Sequence, residues 1–156
     1  MKNKIYKTMD AAVADIPDGV TILSPGFSGV GVPRNLIAAL NRQGAKGLTG
    51  VSNNAGTIDE NVDIGTLVEA GQMKKMICAF TASTHPSQVT PFTRMYNSDE
   101  IEAELVPQGT LAERLRCAAA GIGGFYTPTS VGTELAEGKE HREFNGRMHV
   151  LELPLP

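Results

Sequence analysis

The sequence predicts an α/β fold with a mostly parallel sheet, and three observations carry that prediction. Apolar runs of strand length, "VTIL", "GLTGVS" and "KKMICAF", are separated by runs with helical spacing of their apolar residues. Strand, loop and helix follow one another in strict alternation, which is the pattern of βαβ units. The loops that follow the strands are rich in glycine or polar residues, as crossover connections are. The chain has 156 residues, 41% of them hydrophobic, which suits a single domain with a sizeable core, residues 1–156. No internal repeat or low-complexity segment interrupts it.

Taken in order, Thr8 is placed to cap a short helix, "MDAAVADI", which Pro17, Asp18 and Gly19 end. "VTILS" reads as a first buried strand and leads into "SPGFSGVGVP", residues 24–33. A helix follows with Pro33 in its first turn, Leu36, Ile37 and Leu40 as its apolar stripe, and Gly44 as its stop. "GLTGVS" is a second strand, and "NNAG" the polar loop after it. Asp63 caps "IGTLVEAG", which leads to the third strand, "KKMICAF".

Pro86 and Pro91 break any long helix in the next stretch, leaving room for a short one before Asn97. "IEAELV" alternates Ile101, Ala103 and Leu105 with Glu102 and Glu104, the pattern of a half-buried strand. "TLAERLRCAAAG" is the clearest helix, with Leu111, Leu115 and Ala118 as its stripe and Gly121 as its stop. Asn145-Gly146 signals a tight hairpin between two extended runs.

Composition narrows the function. A net charge of −3 argues against a nucleic-acid partner, which calls for a basic field. No apolar stretch approaches the roughly 18 residues of a membrane span, and no apolar segment follows the basic N-terminal residues as a secretory signal would. Cys78 and Cys117 stand apart from any C-x-x-C pair and read as reduced core thiols of a cytoplasmic protein. His85, His141 and His149 lie at no ligand spacing to them, so no metal site is expected. Small-molecule chemistry or protein association is left.

In parallel sheets, ligands bind beyond the carboxyl ends of the strands. "SPGFSGVGVP", "SNNAG" and the "VPQG" turn, Val106 to Gly109, all sit at such ends and together predict a site. The spacing Gly26-x-x-Gly29-x-Gly31 reverses the dinucleotide fingerprint and is open to two readings. It is either a tight strand-to-helix turn or a place where backbone approaches a ligand ahead of the free N–H groups of a helix. Asn53 and Asn54 are turn residues or site residues on the same terms. Gln108 offers an amide N–H to an oxyanion at its strand end. Phe27 either packs on a ligand or fills the core beneath the loop, and Arg34 reads as a solvated first-turn arginine with phosphate contact as the alternative.

"DGVTILSPGFSGVGVP" resembles the first signature of the family I coenzyme A transferases, in which Asp-Gly and three apolar residues lead into Gly-Gly-Phe-x-x-x-Gly-x-Pro. Asp18, Gly19, Gly26, Phe27, Gly31 and Pro33 match, whereas Ser24 replaces an apolar residue and Pro25 the first glycine of the pair. "GLTGVSNNAG", "ELVPQGTLAERLR", "AGIGGFYTPTSVGTELAEGKE" and "REFNGRMHVLE" are similar, in the same order, to later segments of the family's A subunit. The resemblance runs from Ile5 to Glu152 and is nearest to the 3-oxoacid CoA-transferases.

The resemblance implies a three-layer α/β/α fold shared with ribose-5-phosphate isomerase and glucosamine-6-phosphate deaminase. It also implies CoA exchange between an acyl-CoA and a short carboxylic or 3-oxo acid, with CoA as substrate and no permanently bound cofactor. The glutamine matching Gln108 stabilises the oxyanion in the family, and Gly26, Phe27, Gly29, Gly31, Asn53 and Asn54 would line the CoA and acyl channel. The nucleophilic glutamate belongs to a Ser-Glu-Asn-Gly run of the B subunit. Here Glu60-Asn61 is the nearest imitation, preceded by Asp59 and followed by Val62. A B subunit is therefore the expected partner, in a hetero-oligomer, with the "FYTPT" segment a candidate for the contact.

Two departures stand out. "STHPSQVTPFTRMYN" replaces the family's Gly-Glu-Asn and Phe-Glu-Arg-Gln runs on the acceptor side. The chain also stops at "LELPLP", short of the family's later strands and helices, which reads either as a truncation or as a remainder supplied elsewhere. The rival expectations are a sugar-phosphate isomerase or deaminase of the same fold, and a non-catalytic binding or assembly module.

Overall fold

The structure is a computed structural model that describes residues 4–57, 62–83, 85 and 87–155. The chain forms two compact units, Met1–Glu104 and Leu105–Pro156.

The first unit opens with α1 (Met9–Val13), and the Thr8 hydroxyl accepts from the Ala11 amide as its cap. Then come β1 (Thr21–Leu23), α2 (Arg34–Gln43), β2 (Leu48–Asn54), α3 (Ile64–Glu69), β3 (Met73–Phe80), α4 (Pro91–Asn97) and β4 (Glu102–Leu105). The four strands form a parallel sheet in the order β1-β2-β3-β4. Each crossover thus steps in the same direction. Because such crossovers are right-handed, α2, α3 and α4 fall on one face of the sheet.

The core confirms that placement. Val13, Ile37, Leu40, Leu67, Val68 and Phe92 from the helices join Leu48, Met76 and Cys78 of the sheet in one buried cluster. Val51 and Ile77 are register partners on the opposite face and are buried too. The centre of the sheet is therefore out of water on both sides, as parallel strands require. Burial pushes the Cys78 thiol up to about 11, against a smaller lowering from a backbone hydrogen bond at Phe80.

The helix boundaries follow local chemistry. Gly44 ends α2 in the left-handed conformation, its N–H donating to the Leu40 carbonyl. Asp63 caps α3 in a reciprocal capping box with Thr66, and Thr90 caps α4 with Pro91 in its first turn.

Four expectations need correction. The first strand is not buried: it is the sheet edge, and Leu23 is 61% exposed. With a neighbour on one side alone, its outward residues have nothing to pack on. Asn53 and Asn54 belong to β2 rather than to a loop, because pairing with β3 continues to Asn54 opposite Phe80. Gln108 likewise lies in a helix rather than a turn, at the first position of α5 (Gln108–Ala120). On α5 the buried residues are Thr110, Leu111 and Cys117, while Ala118 faces solvent, so the stripe is rotated from its expected place.

The second unit consists of α5, β5 (Phe125–Thr127), a 3₁₀ turn at Glu134–Ala136, β6 (His141–Phe144) and β7 (Arg147–Glu152). Its three strands form an antiparallel sheet in the order β5-β7-β6. Asn145 and Gly146 join β6 to β7 with φ of 52° and 74°, the left-handed pair that a two-residue hairpin turn demands. The Arg114 guanidinium donates to the Leu153 carbonyl at 2.8 Å and anchors the strand end to α5. Glu152 is buried and accepts from Lys139 at 2.6 Å. Among the described residues, no helix is long and apolar enough to cross a membrane.

Candidate functional site

The carboxyl ends of parallel strands share one edge of the sheet, so the segments leaving β1, β2 and β3 are neighbours there. They enclose a cleft of about 310 Å³ lined by Phe27 and Ser28 after β1, by Asn53, Asn54 and Thr57 around the end of β2, and by Phe80, Ser83, Gln88 and Thr90 at and beyond the end of β3.

The first wall is a tight turn. Phe27 and Val30 exchange two backbone hydrogen bonds, both 2.9 Å, around Ser28 and Gly29. Those two central residues have φ of 46° and 85°, so a two-residue turn of the hairpin type closes inside the glycine-rich segment. Gly26 folds behind it so closely that a Cβ there would lie 2.5 Å from Val32 Cγ2, and Gly31 has φ of 76°. The turn pushes Phe27 outward, 54% exposed and edge-on to Phe80, which is 49% exposed. With that exposure Phe27 does not fill the core.

Arg34 holds this wall, which corrects the expectation of a solvated arginine. Its guanidinium donates to the Gly29 carbonyl at 3.0 Å and to the Val62 carbonyl at 3.1 Å. One planar fork thereby ties the turn to the segment ahead of α3. The opening of α2 is also less available than the sequence suggests, since the Arg34 amide donates to Val32 and the Leu36 amide to Pro33.

The second wall hangs on Asp63, which is 4% exposed. One carboxylate oxygen accepts from the Thr57 amide and hydroxyl, both at 2.7 Å, and the other accepts from the Gly65 amide at 2.7 Å. The third wall is pinned where the Thr93 hydroxyl donates to the Thr81 carbonyl, beside the Thr90 cap. Ser83 donates to the Gln88 side-chain oxygen at 2.6 Å across the same loop.

The structure brings Phe27, Asn53 and Asn54 together at this cleft. Gly26, Gly29 and Gly31 shape the turn behind Phe27. Gln108 belongs to the second unit, where it is exposed at the start of α5. Ala82, Ser83, Gln88 and Thr90, beyond β3, supply the third side of the cleft. Sequence reasoning passed over Thr57, Ser83 and Gln88, although the end of β3 at Phe80 places its loop on the same edge as the other two. Glu60-Asn61 lies outside the described residues, as do Asp59 and Pro86.

A larger groove of about 440 Å³ runs between α1, α2 and β1 past Tyr6, Met9, Leu23 and Leu36. Its walls are mostly aliphatic, with Lys4, Tyr6, Thr8 and Ser24 as the polar residues of its lining. The smaller cleft offers amide and hydroxyl groups between two aromatic edges. That lining can bind and orient a carbonyl or carboxylate, and among its described residues no side chain is an acid or base for proton transfer.

A sequence profile of the family described as "Coenzyme A transferase" matches residues 6–156. The chain is 46% identical over 155 residues to the A subunit of 3-oxoadipate CoA-transferase from Pseudomonas putida, covering 99% of this chain and 65% of that one. It is 47% identical over 149 residues to the A subunit of a probable succinyl-CoA:3-ketoacid coenzyme A transferase from Bacillus subtilis, covering 96% and 60%. The chain thus spans about 60–65% of the length of these relatives. The crystal structure of glutaconate coenzyme A-transferase from Acidaminococcus fermentans has a TM-score of 0.76 at 20% identity, over 99% of this chain and 54% of that one. At that identity the likeness speaks for the fold alone. With an α/β sheet of the same architecture and a profile match over nearly its whole length, the chain belongs to the coenzyme A transferase family.

Proposed function

We propose that this chain is the A subunit of a heteromeric CoA-transferase that moves CoA between an acyl-CoA and a short carboxylic or 3-oxo acid. The observation that carries the reading is the 46% identity to the A subunit of such an enzyme over 99% of the chain. In this reading residues 1–156 act as one A-subunit part, and the nucleophile is a glutamate carboxylate of a B subunit. That carboxylate attacks the thioester carbonyl, giving an acyl–glutamyl anhydride and free CoA thiolate. The thiolate then attacks the glutamyl carbonyl and releases the acid, and the acceptor acid reverses both steps.

Each addition puts negative charge on a carbonyl oxygen, and the Gln108 side-chain amide is the donor this chain contributes. Gly26, Phe27, Gly29, Gly31, Asn53 and Asn54 line the CoA and acyl channel. The cleft between Phe27, Asn53 and Asn54 supports this assignment, because it is open to solvent and dressed with neutral donors. CoA enters as a substrate.

Co-expression with a B chain carrying Ser-Glu-Asn-Gly tests the reading. The two chains are expected to purify as one complex that exchanges acyl-CoA; a chain that separates from every such partner overturns the assignment. In that complex Gln108→Ala is expected to slow exchange by about 10²-fold or more and leave assembly intact. An unchanged rate removes Gln108 from the mechanism.

A further inference from the structure

The first turn of α5 leaves its donors open. The helix runs for 13 residues from Gln108, and its N-cap is Pro107, which has no side-chain group to cap it. The Leu111 amide closes back on the Pro107 carbonyl at 2.8 Å. The Gly109 and Thr110 amides come before it, and neither meets an acceptor among the described residues. Amides at this position carry the positive end of the helix dipole, and no acidic residue of the first turn answers it.

Two side-chain choices point the same way. Thr110 is 3% exposed, and its hydroxyl has no hydrogen-bond partner among the described residues. Helical side chains lean toward the N-terminus, so this hydroxyl is carried toward the end where the two amides lie. A buried polar group without a partner costs stability, and a valine of the same shape would avoid that cost. Gly109 is exposed, and a Cβ added to it would meet nothing within 4 Å. Neither packing nor a left-handed backbone demands glycine there, and alanine is the better helix former. What a methyl group would obstruct is a ligand drawn close to the backbone. Both choices cost the fold stability at one helix end, as residues kept for a ligand do.

We propose that the first turn of α5 is a cradle for an anionic acyl oxygen, with the Gly109 amide, the Thr110 amide and the Thr110 hydroxyl as donors beside Gln108. The oxygen belongs either to the carboxylate of the bound acid or to the tetrahedral adduct, which share their charge and their acceptor chemistry. This deepens the CoA-transferase reading and rests on it. The three donors share a charge that the Gln108 side chain would otherwise meet alone, and two of them are backbone groups held in place by the helix.

The test uses the complex with a B chain. Thr110→Val removes the hydroxyl and keeps the shape, while Gly109→Ala adds one methyl group in open space. Each is expected to slow acyl-CoA exchange by about tenfold or more, with the midpoint of urea unfolding level or raised. Thr110→Ser keeps the hydroxyl and is expected to retain most of the rate. If the cradle holds the carboxylate, KM for the acid rises in the two slow variants, and acetate gives saturable shifts at the isotope-labelled Gly109 and Thr110 amides. If it holds the adduct, kcat falls at unchanged KM and acetate gives no shift. A wild-type rate in either Thr110→Val or Gly109→Ala, or a loss that Thr110→Ser shares in full, overturns the proposal and leaves the CoA-transferase reading standing. A wild-type complex that exchanges no acyl-CoA overturns that reading, and the proposal with it.

Discussion

Two turns in this chain have the same backbone and opposite circumstances. Ser28-Gly29 and Asn145-Gly146 both reverse the chain in two residues, each with φ in the left-handed region. The second closes a hairpin whose strands pair from Phe144↔Arg147 to His141↔Val150. The first closes a single bridge, Phe27↔Val30, and its shape depends on the Arg34 fork and the packing of Gly26 on Val32. The difference lies in what holds each turn. A hairpin turn is fastened by the ladder behind it, whereas the turn at the cleft is fastened from the side by one cation. Such a turn can open without unfolding its neighbours.

The largest expected effect separates the two directly. Valine tolerates positive φ poorly, so Gly146→Val is expected to cost about 2 kcal/mol of stability in urea unfolding. Gly29→Val meets a similar strain but is expected to cost under about 1 kcal/mol, because the turn relaxes locally instead. Equal losses would break the contrast.

A smaller effect concerns the fork. Arg34→Ala is expected to raise hydrogen exchange at the Phe27 and Val30 amides about tenfold, in line with a lost charge-assisted hydrogen bond. Arg34→Lys should recover less than half of that on a free-energy scale, since an ammonium cannot span two carbonyls as a planar fork does. Full recovery would reduce Arg34 to a simple charge.

The smallest effect sharpens the comparison. Ser28→Asn writes the hairpin signal into the cleft turn, and asparagine tolerates left-handed backbone better than serine. Amide exchange at Val30 is expected to slow by about twofold, a few tenths of a kcal/mol. No change would mean that Arg34 already sets the turn completely.

These turns also mark how much was legible in the sequence. Asn145-Gly146 announces itself because both of its residue types favour the required φ. Ser28-Gly29 does not, since serine at positive φ is a consequence of the bonds around it and not of its own preference. The alternation of strands and helices was readable, with Thr8, Asp63, Gly44 and Gly121 in their capping roles, because each rests on contacts within a few residues.

What escaped needed tertiary information. The exposure of Leu23 follows from strand order, which local pattern does not encode. Arg34 reaches Val62 across 28 positions in the chain, a contact no periodicity displays. Thr57, Ser83 and Gln88 are ordinary loop residues until the sheet aligns the ends of β2 and β3. The extension of β2 through Asn53 and Asn54 was hidden for a related reason, since asparagine is a poor strand former held there by its partner strand.

Cys78 and Cys117 are both fully buried and free, and each lies in a different unit of the chain. Neither sulfur can meet a water-soluble alkylating reagent until the packing around it gives way. The protein therefore carries one chemical clock for each half of its architecture, and mass spectrometry of the two labelled peptides reads both from a single sample. A ligand or partner that tightens one half and not the other would slow one clock alone, identifying where it binds without any added probe.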